Sequence, residues 1–271
     1  MNLGGMALRD GVLLQGERHW VAAVRRPDGV HVASGERARL PGTAATSQVP
    51  VIRGLIKLGE ALAVLPAVRR ATGGPVLPQE EPRLLVATAL SAAGTFVVRH
   101  RMSGSPFVRE MAAMGISLAP VFLLLRDSRL ARYHGAEHKS IAAYEGDTDA
   151  ATADKEHARC GTNLIAPIAV TTVASNMLLR AAGKEDRPLA TFVAGMVSIG
   201  TAVELFSWMG RHKDHPLART LRRPGIMIQR LFTTSEPDSD QLDVADIALR
   251  ELLRLEGLAP AHEEAQPTTG A

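Results

Sequence analysis

Four apolar segments, residues 84–98, 111–125, 163–179 and 189–209, constrain this chain more than any other feature. Runs of that length must be covered by a large core or by lipid, because apolar surface left in water costs ~25 cal/mol per Å². A bilayer span needs ~20 mostly apolar residues, and the first two segments close at Arg99 and Arg126 after only about 15. Arg83, Arg99 and Arg126 are placed to snorkel, which can rescue a short span. The length rule therefore leaves two readings open, a water-soluble bundle of unusually apolar helices and a membrane-embedded body. If all four segments cross, the N-terminus, the 126–162 loop and the C-terminus share one side. That loop carries six Lys/Arg and the two opposite loops three each, the bias of a cytoplasmic face.

Residues 6–34 alternate apolar and polar in three short runs, with Pro27-Asp28-Gly29 as a turn between the last two. This predicts a small antiparallel β-domain over 1–50. Ile52, Leu55, Ile56, Leu62, Ala63 and Leu65 mark an amphipathic helix, and the Pro- and Gly-rich stretch up to residue 82 reads as a linker. The helical body follows over 83–232. Asp238 or Ser239 can cap a further amphipathic helix over 233–257, with Leu242, Ala245, Leu249, Leu252 and Leu253 as its stripe and Gly257 as its stop. Residues 258–271 have the composition of a disordered tail. The fold class expected is α+β, a small antiparallel β-domain followed by a mainly α-helical bundle that the residues alone leave either soluble or membrane-embedded.

Charge is unevenly placed. Nine acidic and two basic residues follow from Glu236 onward, a tail of −7, which leaves +10 on residues 1–235 out of a net +3. A basic body suits an anionic lipid face; nucleic acid is not expected as a partner, because no basic motif is interleaved with aromatics. Substrate or protein partners are not readable. One cysteine excludes an internal disulfide and fits a reducing compartment, and no signal peptide opens the chain.

Metal-ligand chemistry concentrates in His134-Gly-Ala-Glu137-His138-Lys139 and in His157-Ala-Arg-Cys160. On a helix, at roughly 100° per residue, His134 and His138 share one face and Glu145 returns to the same stripe. Glu137 sits beside them, where a carboxylate can act on water without being a ligand. H-x-x-E-H is also the inverzincin spacing. Zinc accepts imidazole and thiolate; three protein ligands leave a position open, whereas four close it. His134 and His138 with Cys160 or Glu145 give the open case, and adding His157 gives the closed one. Cys160 could instead be a nucleophile at a helix N-terminus, although no oxyanion hole accompanies it. Glu204 interrupts the fourth apolar segment, which makes it a functional candidate in a membrane, either as a distant third ligand or paired with Arg53 or a neighbouring His. The regular glycines Gly4, Gly5, Gly11 and Gly16 point to tight packing or to close approach of a ligand.

These motifs, with Tyr144-Glu145 and Cys160-Gly-Thr162, resemble the signatures of the bacterial YqhQ-like family. The likeness extends to Gly4-Gly5 through Asp10-Gly11 and Gly16, similar to the family's GGQAV-x-EGVMMRG, and to Pro50-Val-Ile-Arg53-Gly54. It extends as well to Pro224-Gly225-Ile-Met-Ile-Gln229 and Thr233-Thr234-Ser-Glu236-Pro237. Met6 stands where the family has Gln, Asp10 where it has Glu, and Leu13 and Leu14 where it has paired Met; Asp10 is kept as a candidate site residue. The resemblance implies a membrane-associated, metal-dependent protein without a defined reaction. Two functions follow as expectations: a metal-dependent hydrolase, with Glu137 as base and a divalent metal, zinc by its ligands, held at His134, His138 and Cys160 with His157 or Glu145; or a non-catalytic membrane scaffold with a closed structural metal site. A transporter built around Glu204 is a third.

Overall fold

The computed structural model describes residues 3–40, 48–73, 82–124, 128–146 and 148–258, with residues 83, 121–124 and 128 as backbone. Most of the proline-rich linker before residue 82 and the tail from 259 onward lie outside the described residues.

Strands β1 (Gly4–Leu8), β2 (Gly11–Gln15), β3 (His19–Arg26) and β4 (Gly29–Glu36) form an antiparallel meander in chain order. The first apolar run, expected as one strand, folds back at Arg9-Asp10, with Leu8 opposite Gly11. Gly11 is what the fold-back needs, since any Cβ there would overlap the backbone of Ala23 on β3. β2 is buried at every position, which is why its sequence reads as a continuous apolar run without alternation.

Each face of the sheet is covered by helices. Val12, Leu14, Val21 and Ala23 pack with Tyr133, Ala136 and Ile141 of α5 (Ser128–Gly146) and with Val244, Ala248 and Leu252 of α9 (Ser239–Glu256). Leu8, Leu13, Trp20 and Ala22, on the other face, meet Val64 and Val68 at the joint between α1 (Pro50–Ala63) and α2 (Leu65–Thr72). The C-terminal helix, read from sequence as a separate segment, is thus a layer of the β-domain. Asp238 and Gln241 close a capping box at its start and Gly257, at φ 75°, ends it. Its buried face is centred on Val244 and Ala248, with Leu242 and Leu253 only partly covered, because small Ala245 and Ala248 let the axis approach the sheet.

The remaining helices pair. α3 (Pro82–Arg101) lies on α4 (Pro106–Leu124), joined by Ser91 Oγ to the Ile116 carbonyl at 2.7 Å and by Arg99 to Glu110 at 3.1 Å. α6 (Ile165–Ala181) lies on α7 (Pro188–Arg211), with Thr172 and Ser198 hydroxyls 3.0 Å apart. α1 crosses α7 at Gly54 and Gly200, where a Cβ on either would overlap the other helix's backbone. Among the described residues, two of the four apolar segments, within 161–181 and 188–211, belong to helices long and apolar enough to cross a membrane, and 6% and 22% of their apolar windows are buried. Arginines shorten the usable apolar run in α3 and α4, although Leu85, Leu90 and Phe96 are exposed on α3. After α7 come α8 (Pro216–Ile228), one π-helical turn at Gln229–Thr233, and α9.

Candidate metal centre

α5 and two irregular segments assemble the centre. The first half of the 126–162 loop is α5 itself, which presents Tyr133, Ala136 and Ile141 to the sheet and carries His134 and His138 on the adjoining stripe, next to Ile141. Gly135 lets the helix touch the chain at Ser235, whose carbonyl would collide with a Cβ there, and the Ser235 N–H donates to the Ala131 carbonyl at 2.9 Å. Cys160 comes from the far end of the loop, immediately before a 3₁₀ turn at Gly161–Leu164.

One donor atom from each of His134, His138 and Cys160 lies within 4.8 Å of the other two. His134 Nε2 is 3.2 Å from Cys160 Sγ, already close to the roughly 3.3–3.8 Å between neighbouring donors implied by tetrahedral zinc bonds of ~2.0–2.3 Å. The tautomers follow from the partners. His134 Nδ1 faces the Thr233 carbonyl at 2.8 Å and His138 Nδ1 the Lys155 carbonyl at 2.6 Å. A carbonyl oxygen only accepts, so each Nδ1 carries the proton and each Nε2 keeps its lone pair toward the cluster. Carbonyl anchors of this kind orient metal-ligating histidines. The donor set of two imidazoles and a thiol fits a borderline-soft divalent ion such as zinc.

Glu137 is buried beside this cluster, and its carboxylate has no hydrogen-bond partner among the described residues. It lies against the backbone of Gly5 on β1, where a Cβ would overlap Oε1. Glu137, the three donor residues and the β1 edge line one cavity of about 440 Å³, whose other walls include Leu3, Met6 and Ile141. Burial pushes the Glu137 carboxyl up to about 7, against the opposing pull of His134.

The other predicted residues are not members of the donor cluster. His157 lines the same cavity, but its Nε2 faces Glu145 at 3.4 Å and its ring centre is 5.7 Å from that of His138. Burial, then the charges of His138 and Lys213, push its imidazole down to about 4. Glu145 pairs with His157 and Arg159 and is not part of the donor cluster. Seven residues beyond His138, it lies ~10 Å further along the axis at 1.5 Å per residue, too far to share an ion held by both histidines. Glu204 is no third ligand: Arg53 grips it from α1 with bonds of 2.9 and 2.5 Å next to the Gly54–Gly200 crossing. Asp10 sits in the first hairpin turn and pairs with Arg129 at 2.8 Å.

Sequence reasoning missed the residues that hold the Cys160 segment in place. The Gln229 side chain, fully buried, accepts from the His157 N–H at 2.7 Å and donates to the His157 carbonyl at 3.2 Å. Asn163 donates to the carbonyls of His157 and Ala158, and Gly225 has no room for a Cβ beside it. The sequence signal for Gly225 and Gln229 is membership of the Pro224–Gln229 motif, and for Asn163 its place next to Cys160-Gly-Thr162.

With this geometry in view, the chain matches the family described as Protein of unknown function (DUF1385) over residues 85–255. The chain belongs to that family. The match contains every member of the metal centre except the β1 edge. A relative, the "Uncharacterized protein YqhQ" of Bacillus subtilis (strain 168), is 27% identical, over 96% of this chain and 95% of its own. That alignment takes in the sheet as well. No solved structure matches the chain.

Proposed function

We propose that this member of the DUF1385 family is a membrane-resident, metal-dependent hydrolase. The observation that supports it is the pairing of a preoriented His134, His138 and Cys160 donor set with a buried, unpartnered Glu137 carboxylate on the same cavity. Three protein ligands suffice to hold zinc and leave a coordination position for chemistry, and a divalent ion there supplies Lewis acidity. Glu137 takes the proton of the water that attacks the substrate and returns it to the leaving group. Gly5 and the β1 edge fix the carboxylate, and Gln229 and Asn163 fix the turn that carries Cys160. The apolar 161–181 and 188–211 helices support membrane residence; the greater Lys/Arg content of 126–162 favours a cytoplasmic metal centre.

The test is X-ray absorption on metal-loaded full-length protein. Two nitrogens, one sulfur and an exchangeable oxygen donor are expected. A third nitrogen in place of the oxygen, lost in His157→Ala, would mean a closed structural site and would replace the hydrolase with the scaffold reading.

A further inference from the structure

α8 carries a surface that neither the sheet nor the metal centre uses. Ala218 and Gly225 are its buried side, continued by Gln229 in the following turn. One exposed flank is apolar, with Leu217 at 51% and Met227 at 59%, continued by Leu231 at 61% and Phe232 at 49% on the following turn. The other flank is basic. Arg219 and Arg223 stand one turn apart with Arg222 beside them, and Lys213 and Arg230 flank them at either end of one depression, whose wall also takes in Met227 and Leu231 where the two flanks meet. At roughly 100° per residue the arginines of α8 centre about 125° from Leu217 and Met227 around the axis, with Met227 next to Arg223 at the boundary. Five cations there face two carboxylates, Asp214 paired with Arg219 and Glu156 paired with Arg230; both arginine side chains remain more than 60% exposed, so these pairs hold them weakly.

We propose that α8 and the turn after it lie along the bilayer surface, with Arg219, Arg223 and Arg230 binding the phosphates of acidic phospholipids and the apolar flank entering the acyl boundary. Interfacial helices are recognised by this split of basic and apolar flanks, and arginine is the side chain best shaped for phosphate. Position on the chain agrees. α7 is long and apolar enough to cross a membrane and ends at Arg211, with Trp208 stacked on His212 at a ring separation of 5.0 Å. Residues 212–215 alone connect it to Pro216, so α8 begins within roughly 18 Å of that end at ~3.5 Å per residue step. Gln229, in the turn that follows, grips His157, so the lipid-bound element is the one that holds the metal centre together. The inference rests on the membrane residence proposed above.

Hydrogen exchange of the backbone N–H groups between Leu217 and Leu231, Pro224 excepted, in full-length protein held in nanodiscs of phosphatidylcholine with or without phosphatidylglycerol, tests it. Exchange should slow markedly in the anionic discs alone, and high salt should abolish the difference. Arg219→Gln, Arg223→Gln and Arg230→Gln together should remove roughly a hundredfold in lipid affinity, at about one kcal/mol per cation, and with it the protection; lysine at all three positions should restore it. Equal exchange in both discs would overturn the proposal, as would full protection by inorganic phosphate in neutral discs, which would make the site one for free phosphate. A chain that will not enter discs refutes membrane residence separately. Flotation with phosphatidylglycerol vesicles, lost in the triple glutamine variant, would then sustain the lipid surface; no flotation would end it.

Discussion

Glu137 separates catalysis from structure at the scale of single residues. Glu137→Gln preserves shape and removes the base, so it should retain stoichiometric metal while failing to complement a strain deleted for the gene; His138→Ala should lose both. Full complementation by Glu137→Gln at matched expression would remove the enzyme reading. Gly5→Ala offers an independent approach to the same carboxylate, because its methyl overlaps Glu137 Oε1. It should cost about 1–3 kcal/mol through overpacking and impair complementation without loss of metal, read by thermal unfolding and elemental analysis. Gln229→Ala strips a donor and an acceptor from the buried His157 backbone. It should destabilise by about 1–3 kcal/mol and weaken zinc binding roughly 10–100-fold, the usual effect of losing a residue that orients ligands; metal competition with a chromogenic chelator measures this. His134 and His138 were legible in sequence because helical spacing is local. Gln229 was not, since its partner is 72 positions away and nothing about a glutamine in an apolar context reveals which backbone it will hold.

Among the elements, the C-terminal helix shows how a local signal and a distant contact combine. Asp238, Gln241 and Gly257 mark its ends in sequence, yet where it docks depends on Glu256. That carboxylate accepts the backbone N–H groups of Arg18 and His19, both at 2.8 Å, and approaches Arg18 Nε at 3.4 Å. Gly16 leaves it room. Burial by itself would raise the Glu256 pKa, but the two backbone donors, the Arg18 side chain and the charge of His19 together hold it below the ordinary carboxylate value of 4.5. A lowered folded pKa means the contact stabilises fully above the unfolded pKa and is lost as pH falls through the folded one. Glu256→Gln should therefore destabilise by about 1–3 kcal/mol near neutrality, with the gap from wild type closing below pH 4.5; denaturant titrations across that range check it. A gap that persisted unchanged into acid would show that the carboxylate's charge contributes nothing. The four-stranded meander was less legible than this helix. Its central strand is buried on both faces and so lost the alternation by which strands are recognised, which hid the turn at Arg9-Asp10.

For the whole molecule, the arrangement joins a water-compatible half to an apolar one. The sheet, α5 and α9 bury their apolar residues in closed cores, whereas few of those on α6 and α7 are fully buried, and Ile168, Val170, Leu178, Leu189, Phe192 and Val193 are exposed. The two halves are joined by the Gly54–Gly200 crossing, the Arg53–Glu204 pair beside it and the Gln229 clamp, which together set the metal centre next to the apolar helices. Sequence alone left a soluble bundle and a membrane body open, because hydropathy counts residues without showing which of them find a partner. Exposure of α6 and α7 favours lipid: a soluble core helix of that composition would be largely buried, and a monomer rarely shows water apolar patches beyond a few hundred Å². The full chain should therefore remain in the membrane fraction through both high-salt and alkaline carbonate washes, and detergent should be needed to extract it. Removal by salt alone would reduce the attachment to the basic flank of α8, and release by carbonate with retained monomeric solubility would mean that α6 and α7 close on each other or on a second copy instead of on lipid.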